Sequence, residues 1–218
     1  MAGTTVADEN AVSSAFIKAF EQFGFDVTEQ EVRPLMGYRK TMAISLVLES
    51  KGTNADQQLV DSIHDAFVNE MLDYYEYSPE VRAMPTAENV FLQLKERGVR
   101  IALNTGFSRE IADTIMTRLQ WKERGLVDDF IASTDVEQGR PYPFMIRELM
   151  SRAGIIDPLE VAKIGDTEVD VNEGRNAGCA LVIAVTTGAF TREQLADYHP
   201  DHILDHLSQL PELIFERG

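Results

Sequence analysis

Residues 163–178 read KIGDTEVDVNEGRNAG. An apolar run ending in Gly165 and Asp166, a second acid at Asp170, and a polar stretch closed by Gly178 spell strand, turn and helix in that order. The same unit recurs on both sides. Upstream, 99–104 (VRIALN) is strand-like through its β-branched residues, and 108–121 (SREIADTIMTRLQW) follows with apolar residues at helical spacing. Next, 128–133 (DDFIAS) leads into 141–154 (PYPFMIRELMSRAG), and downstream 180–185 (ALVIAV) leads into 191–199 (TREQLADYH). Strand and helix alternating across short turns predict an α/β fold, a Rossmann-like parallel sheet core covered by helices.

The first part of the chain reads differently. Residues 11–25, 28–37, 40–52 and 55–77 carry helical periodicity and no convincing strand. They predict a helical insert over residues 9–81. The core would then comprise 1–8 and 82–218, with 78–87 (SPEVRAMPTA) as the crossing back and 85–98 as one more helix. Such an insert sits over the C-terminal ends of the strands, where open α/β sheets bind ligands.

Composition narrows the function classes. With 36 acidic and 20 basic residues the formal net charge is −16, which works against wrapping nucleic acid or lying on an anionic membrane. Cys179 is the sole cysteine, which fits a reducing, cytoplasmic setting and a plain core thiol. No apolar run is long enough to suggest a membrane span, and no leader pattern is read.

Three strand-end turns hold the chemistry. In LNTGFSRE (103–110), Thr105 and Gly106 offer a hydroxyl and free backbone N–H groups, a phosphate seat or simply a helix N-cap. In QGRPYPFM (138–145), two prolines flank Tyr142 and stiffen the turn that presents Arg140, either to a phosphoryl group or to solvent. In the opening stretch, Asp166 and Asp170 can hold a hard cation such as Mg²⁺, or cap and complement the helix.

Taken together with AGTTV (2–6) and MGYRK (36–40), these turns resemble the haloacid dehalogenase superfamily, in particular its phosphonoacetaldehyde hydrolase (phosphonatase)-like branch. The resemblance spans essentially the whole chain. It implies a Rossmann-like core under a helical cap, Mg²⁺ as cofactor, and a hydrolase that cleaves phosphate from a small phosphonate or phosphate ester through an aspartyl phosphate. It also implies roles: metal ligation for the Ala2 carbonyl and Asp166; water or outer-ligand orientation for Asp170; phosphate binding for Thr105, Gly106 and Arg140; and, for Lys40, imine formation with an aldehyde. The cap is a candidate dimer surface. Two other readings are a phosphate-monoester phosphatase or sugar-phosphate mutase-like enzyme, and a non-catalytic phosphate- or metal-binding relative.

The family pattern places its nucleophilic aspartate, at the end of the first strand, directly before Met1. Residues 1–218 are therefore expected to have little or no activity alone, with an extended natural chain favoured over a true loss. Where general phosphatases carry an acid two positions after the nucleophile, phosphonatases carry alanine, as at Ala2. Departures from the phosphonatase pattern are Ala43 for a histidine, Phe107 for a tyrosine and Asn10 for a cysteine.

Overall fold

The computed structural model describes residues 1–215. A tight turn at 1–6 comes first, in which the Met1 carbonyl accepts from the backbone N–H groups of Thr4, Thr5 and Val6. Gly3 lies at φ +78°, a left-handed conformation that glycine adopts without strain.

Four helices follow: α1 (Ala11–Glu21), α2 (Glu29–Val32), α3 (Lys40–Ser50) and α4 (Gln57–Tyr77). The segment predicted as one helix at 28–37 breaks after α2 into a single 3₁₀ turn, Arg33–Leu35. Pro34 explains the break, because its ring removes an N–H and crowds the preceding turn. Helices α1 and α3 pack against α4. Their buried faces supply Phe16, Phe20, Ile44, Leu48, Phe67 and Met71 to the core. The chain crosses between helical layer and core twice, at 5–7 and 82–84. These segments are joined to each other by Ala7 N–H to the Arg82 carbonyl and Met84 N–H to the Thr5 carbonyl.

Helix α5 (Ala87–Glu96) then opens the alternating part. It continues as β1 (Ala102–Thr105), α6 (Arg109–Leu119), β2 (Asp129–Ala132), α7 (Phe144–Ala153), β3 (Ala162–Gly165), α8 (Glu168–Ala177), β4 (Leu181–Val185), α9 (Arg192–Ala196), β5 (His202–Leu204) and α10 (Leu210–Phe215). Every named strand pair is parallel, as the alternation predicted. Trp121 is fully buried against Phe91, with its indole N–H donating to Glu88.

The core differs from the sequence reading in several features. The strand predicted at 99–104 runs instead over 102–105, and β5 and α10 had no predicted counterpart. The sheet is also in two sections, β1–β2 and β3–β4–β5. Between them lies a cavity of about 670 Å³, lined by Leu103 and Asn104 of β1, by Lys163 and Ile164 of β3, and by apolar side chains such as Val90 and Ile146. Ala102 is exposed and Asn104 half-buried, both lining this cavity, so β1 is not the uniformly buried strand that its sequence suggested. No helix among the described residues is long and apolar enough to cross a membrane.

Candidate active site

The C-terminal ends of β1 and β3 point toward the helical layer, and the turns that leave them form the floor of a cleft of about 90 Å³. All seven residues singled out from the sequence line it: Lys40 from the helical layer, Thr105, Gly106 and Arg140 from two turns, and Ala2, Asp166 and Asp170 from two others.

Thr105 ends β1, buried, and its hydroxyl accepts from the Phe107 N–H at 3.3 Å. It is not a helix N-cap: α6 begins at Arg109, with Ser108 in that position. Gly106 is bare because of its neighbours. A side-chain carbon there would fall 2.6–2.7 Å from the carbonyl oxygens of Tyr38 and Gly37.

Arg140 is buried, not a solvated loop arginine, and its guanidinium pairs with Asp170. Its Nε has no hydrogen-bond partner among the described residues. A buried donor left open beside a cleft is suited to a phosphoryl oxygen, since leaving it unpaired costs about 1–3 kcal/mol.

Asp166 and Asp170 sit on either side of the start of α8, whose N-cap is Thr167 rather than Asp166. Asp166 accepts from the Thr4 hydroxyl at 2.6 Å and from the Ala189 N–H at 3.0 Å. Burial and the nearby Asp170 charge push its carboxyl up, while the Thr4 bond pulls the other way. For Asp170 burial acts in the same upward direction, yet Arg140 and Lys163 outweigh it and hold the carboxyl far below the usual range. Glycines at 3, 165 and 188 surround this pair, and a side chain at any of them would collide with one of the two carboxylates.

This donor set fits a hard divalent cation in chemistry. Asp166 is a buried carboxylate whose charge is not fully offset by protein groups, beside a backbone turn that can offer a carbonyl oxygen. Asp166 and the Ala2 carbonyl would hold it, and solvent and substrate oxygens would complete its shell.

Lys40 opens α3 with 3% of its surface exposed. Its amine lies 5.7–5.9 Å from the ring centroids of Phe16, Phe67 and Phe107. Burial first, and then the Arg140 charge, lower its pKa to about 8.

The sequence reading missed the groups behind the site. Lys163 donates to Glu173 at 2.6 Å and to Asn104 at 2.9 Å, and lies 3.0 Å from Asp170. Asn104 in turn donates to both Glu173 carboxylate oxygens. A lysine inside the apolar run VAKIG, with a glutamate one helical turn beyond Asp170, was the available signal. Three contacts also tie the helical layer to the core through residues 33–39: the Arg33 Nε donates to the Ala189 carbonyl at 2.7 Å, Tyr38 to Glu168, and Arg39 to the Glu137 carbonyl at 3.0 Å.

Residues 1–185 match the family model described as haloacid dehalogenase-like hydrolase. Phosphonoacetaldehyde hydrolase of Paraburkholderia phytofirmans is 30% identical over 200 residues, covering 85% of this chain and 73% of that one. The enzyme of the same name from Bacillus mycoides is 27% identical, covering 100% of this chain and 86% of its own length. Among solved structures, a phosphonoacetaldehyde hydrolase-like protein from Oleispira antarctica superposes with a TM-score of 0.87 at 22% identity, over 99% of this chain and 89% of that one. The last likeness speaks for the fold.

Proposed function

Because this chain belongs to the haloacid dehalogenase-like hydrolases, on their phosphonatase-like branch, we propose that it serves the Mg²⁺-dependent release of phosphate from a small phosphonate bearing an aldehyde. The observation that carries this reading is Lys40. A nearly buried amine with a lowered pKa faces the same cleft as Thr105, Arg140 and Asp166. A phosphate monoester calls on an amine only as a binding cation, best kept protonated, whereas an aldehyde substrate needs one that can lose its proton near neutral pH.

In this reading Thr105, the Gly106 amide and Arg140 hold the phosphoryl oxygens and stabilise charge on the transferring group. Mg²⁺ held by Asp166 and the Ala2 carbonyl would supply further neutralisation of that charge. Asp170, locked by Arg140, Lys163 and Thr167, keeps the guanidinium oriented and its own carboxylate ionised. Lys40 forms an imine with the aldehyde, which gives the electrons of the breaking C–P bond somewhere to go. Residues 33–39 close the helical layer over the cleft and limit water.

In this reading the nucleophilic aspartate of the family pattern stands at the C-terminal end of a strand lying between β1 and β3. The apolar cavity between those strands supports that placement. Ala43 and Phe107, where the phosphonatase pattern has histidine and tyrosine, favour a phosphate monoester as the second reading.

The test is phosphate release with Mg²⁺ from phosphonoacetaldehyde and from a panel of monoesters, comparing residues 1–218 with a chain extended by the upstream strand and aspartate. Release from the aldehyde by the extended chain alone supports the reading. Preference for monoesters replaces it with the second, and no release from either chain defeats the enzyme assignment.

A further inference from the structure

A further carboxylate, Asp8, reaches the cleft. It follows the 1–6 turn, lines the same cleft as Lys40, and is half-buried. One carboxylate oxygen accepts from the Val12 N–H at 3.2 Å, so the group is anchored on the first turn of α1. Asn10, the residue in the N-cap position of that helix, makes no such bond with its side chain. Lys40 forms no ion pair within 4.0 Å among the described residues, and Asp8 lines the same cleft close enough for the two charges to act on each other. Burial pushes the Asp8 carboxyl up, the Val12 and Ala11 amides and the Lys40 charge oppose this, and Asp8 in turn raises the Lys40 amine. Arg140 and Asp166, which also act on that amine, are both placed at the phosphate end of the cleft, while the half-buried His64 imidazole of α4 feels the Lys40 charge but does not line the cleft.

We propose that Asp8 is the acid–base group that carries the proton between Lys40 and the carbonyl oxygen of an aldehyde substrate. This rests on the imine reading of Lys40 given above. Asp8 takes a proton from the Lys40 ammonium, and the freed lone pair forms a C–N bond to the aldehyde carbon while the π pair moves to oxygen. The proton still in excess on nitrogen passes to that oxygen. The Asp8 carboxylic acid then protonates the resulting hydroxyl, the C–O bond breaks, water leaves, and the nitrogen lone pair closes the C=N bond. One ammonium and one aldehyde become one iminium and one water, and Asp8 ends as the carboxylate it began as. With Ala43 and Phe107 offering no titratable group near the amine, Asp8 is the carboxylate positioned for this work.

The experiment needs no nucleophile, so residues 1–218 suffice. The chain is incubated with phosphonoacetaldehyde, quenched with sodium borohydride, and the peptide holding Lys40 is followed by mass spectrometry. The wild-type chain is expected to be trapped on Lys40. Asp8→Asn keeps an oxygen acceptor for the Val12 N–H, so its thermal midpoint should match wild type while its trapping rate falls about 100-fold, the lower range for general acid–base catalysis. Asp8→Glu restores the ionisable group and should trap faster than Asp8→Asn. Equal rates for wild type and Asp8→Asn, or an Asp8→Glu chain no faster than Asp8→Asn, overturn the role of Asp8 alone. No adduct on wild-type Lys40 overturns the imine reading and the Asp8 role together.

Discussion

Lys40 and Glu173 are two buried charges held in opposite ways, and they respond oppositely to substitution. Lys40 sits among three aromatic rings with no carboxylate in contact, and its amine is lowered from 10.5 to about 8. A folded pKa below the unfolded one means that the unfolded chain binds a proton the folded chain does not, so stability rises as pH climbs from about 8 toward 10.5. Lys40→Met removes that penalty. It is expected to raise stability at pH 7 by on the order of 2–3 kcal/mol, with the gain fading between about pH 8 and 10.5, as urea denaturation at several pH values will report. The same amine is unreactive while protonated, so the rate of borohydride-trapped imine in the wild-type chain should rise through about pH 8 and then level off. Glu173 is fully buried but paired with Lys163 and Asn104. Glu173→Gln strips one partner from a buried cation and should destabilise by roughly 3 kcal/mol, the lower end for a broken buried pair, because Asp170 still faces Lys163. An unchanged urea midpoint would show that Asp170 and Asn104 satisfy Lys163 without the Glu173 charge.

Among the elements, those with strong local signals match the sequence best. The helices α1, α4, α6, α7 and α8 fall within the predicted stretches, because apolar spacing and turn residues act within a few positions of each other. β1 starts three residues later than its apolar run, since the Val99 N–H closes the end of α5 on the Leu94 carbonyl and the Ile101 N–H is taken by the Asp128 side chain. β5 contains His202 and only three residues, too few for an alternation to register. At the site, the strand-end turns were legible because Gly, Asp and Thr mark them locally. The burial of Lys40 was not, since it depends on Phe16, Phe67 and Phe107 converging from three separate segments. The meeting of cap loop and core turn gives this scale its prediction. Gly106 lies directly under the Gly37 and Tyr38 carbonyls, so Gly106→Ala must lift the segment that leads into Lys40. A displacement near 1 Å can cost about 100-fold in rate, and borohydride trapping at Lys40 should slow by about that factor while the urea midpoint shifts little. Trapping at the wild-type rate would mean that the loop yields without moving the amine.

Across the whole molecule, the sheet sections β1–β2 and β3–β4–β5 are held together by helices and by the polar bridge from Asn104 to Lys163 and Glu173, with about 670 Å³ of cavity between them. Both inner strands turn a hydrogen-bonding edge toward that space. Backbone groups left unpaired and buried cost about 1–3 kcal/mol each, and apolar side chains around a cavity forgo contacts that close packing would give. An apolar strand running parallel between β1 and β3 would satisfy both, and its C-terminal end would emerge beside Asp166 and Thr105, where the proposed nucleophile has to stand. The chain extended upstream by such a strand is therefore expected to unfold at higher urea than residues 1–218, by several kcal/mol. Its denaturant slope should be steeper, because more surface is exposed on unfolding. Binding of an apolar fluorescent dye, which reads accessible apolar surface, should fall in parallel. Equal midpoints and equal dye binding would locate the added residues outside the sheet, and the nucleophile would then have to reach the cleft by some other path than the end of a central strand.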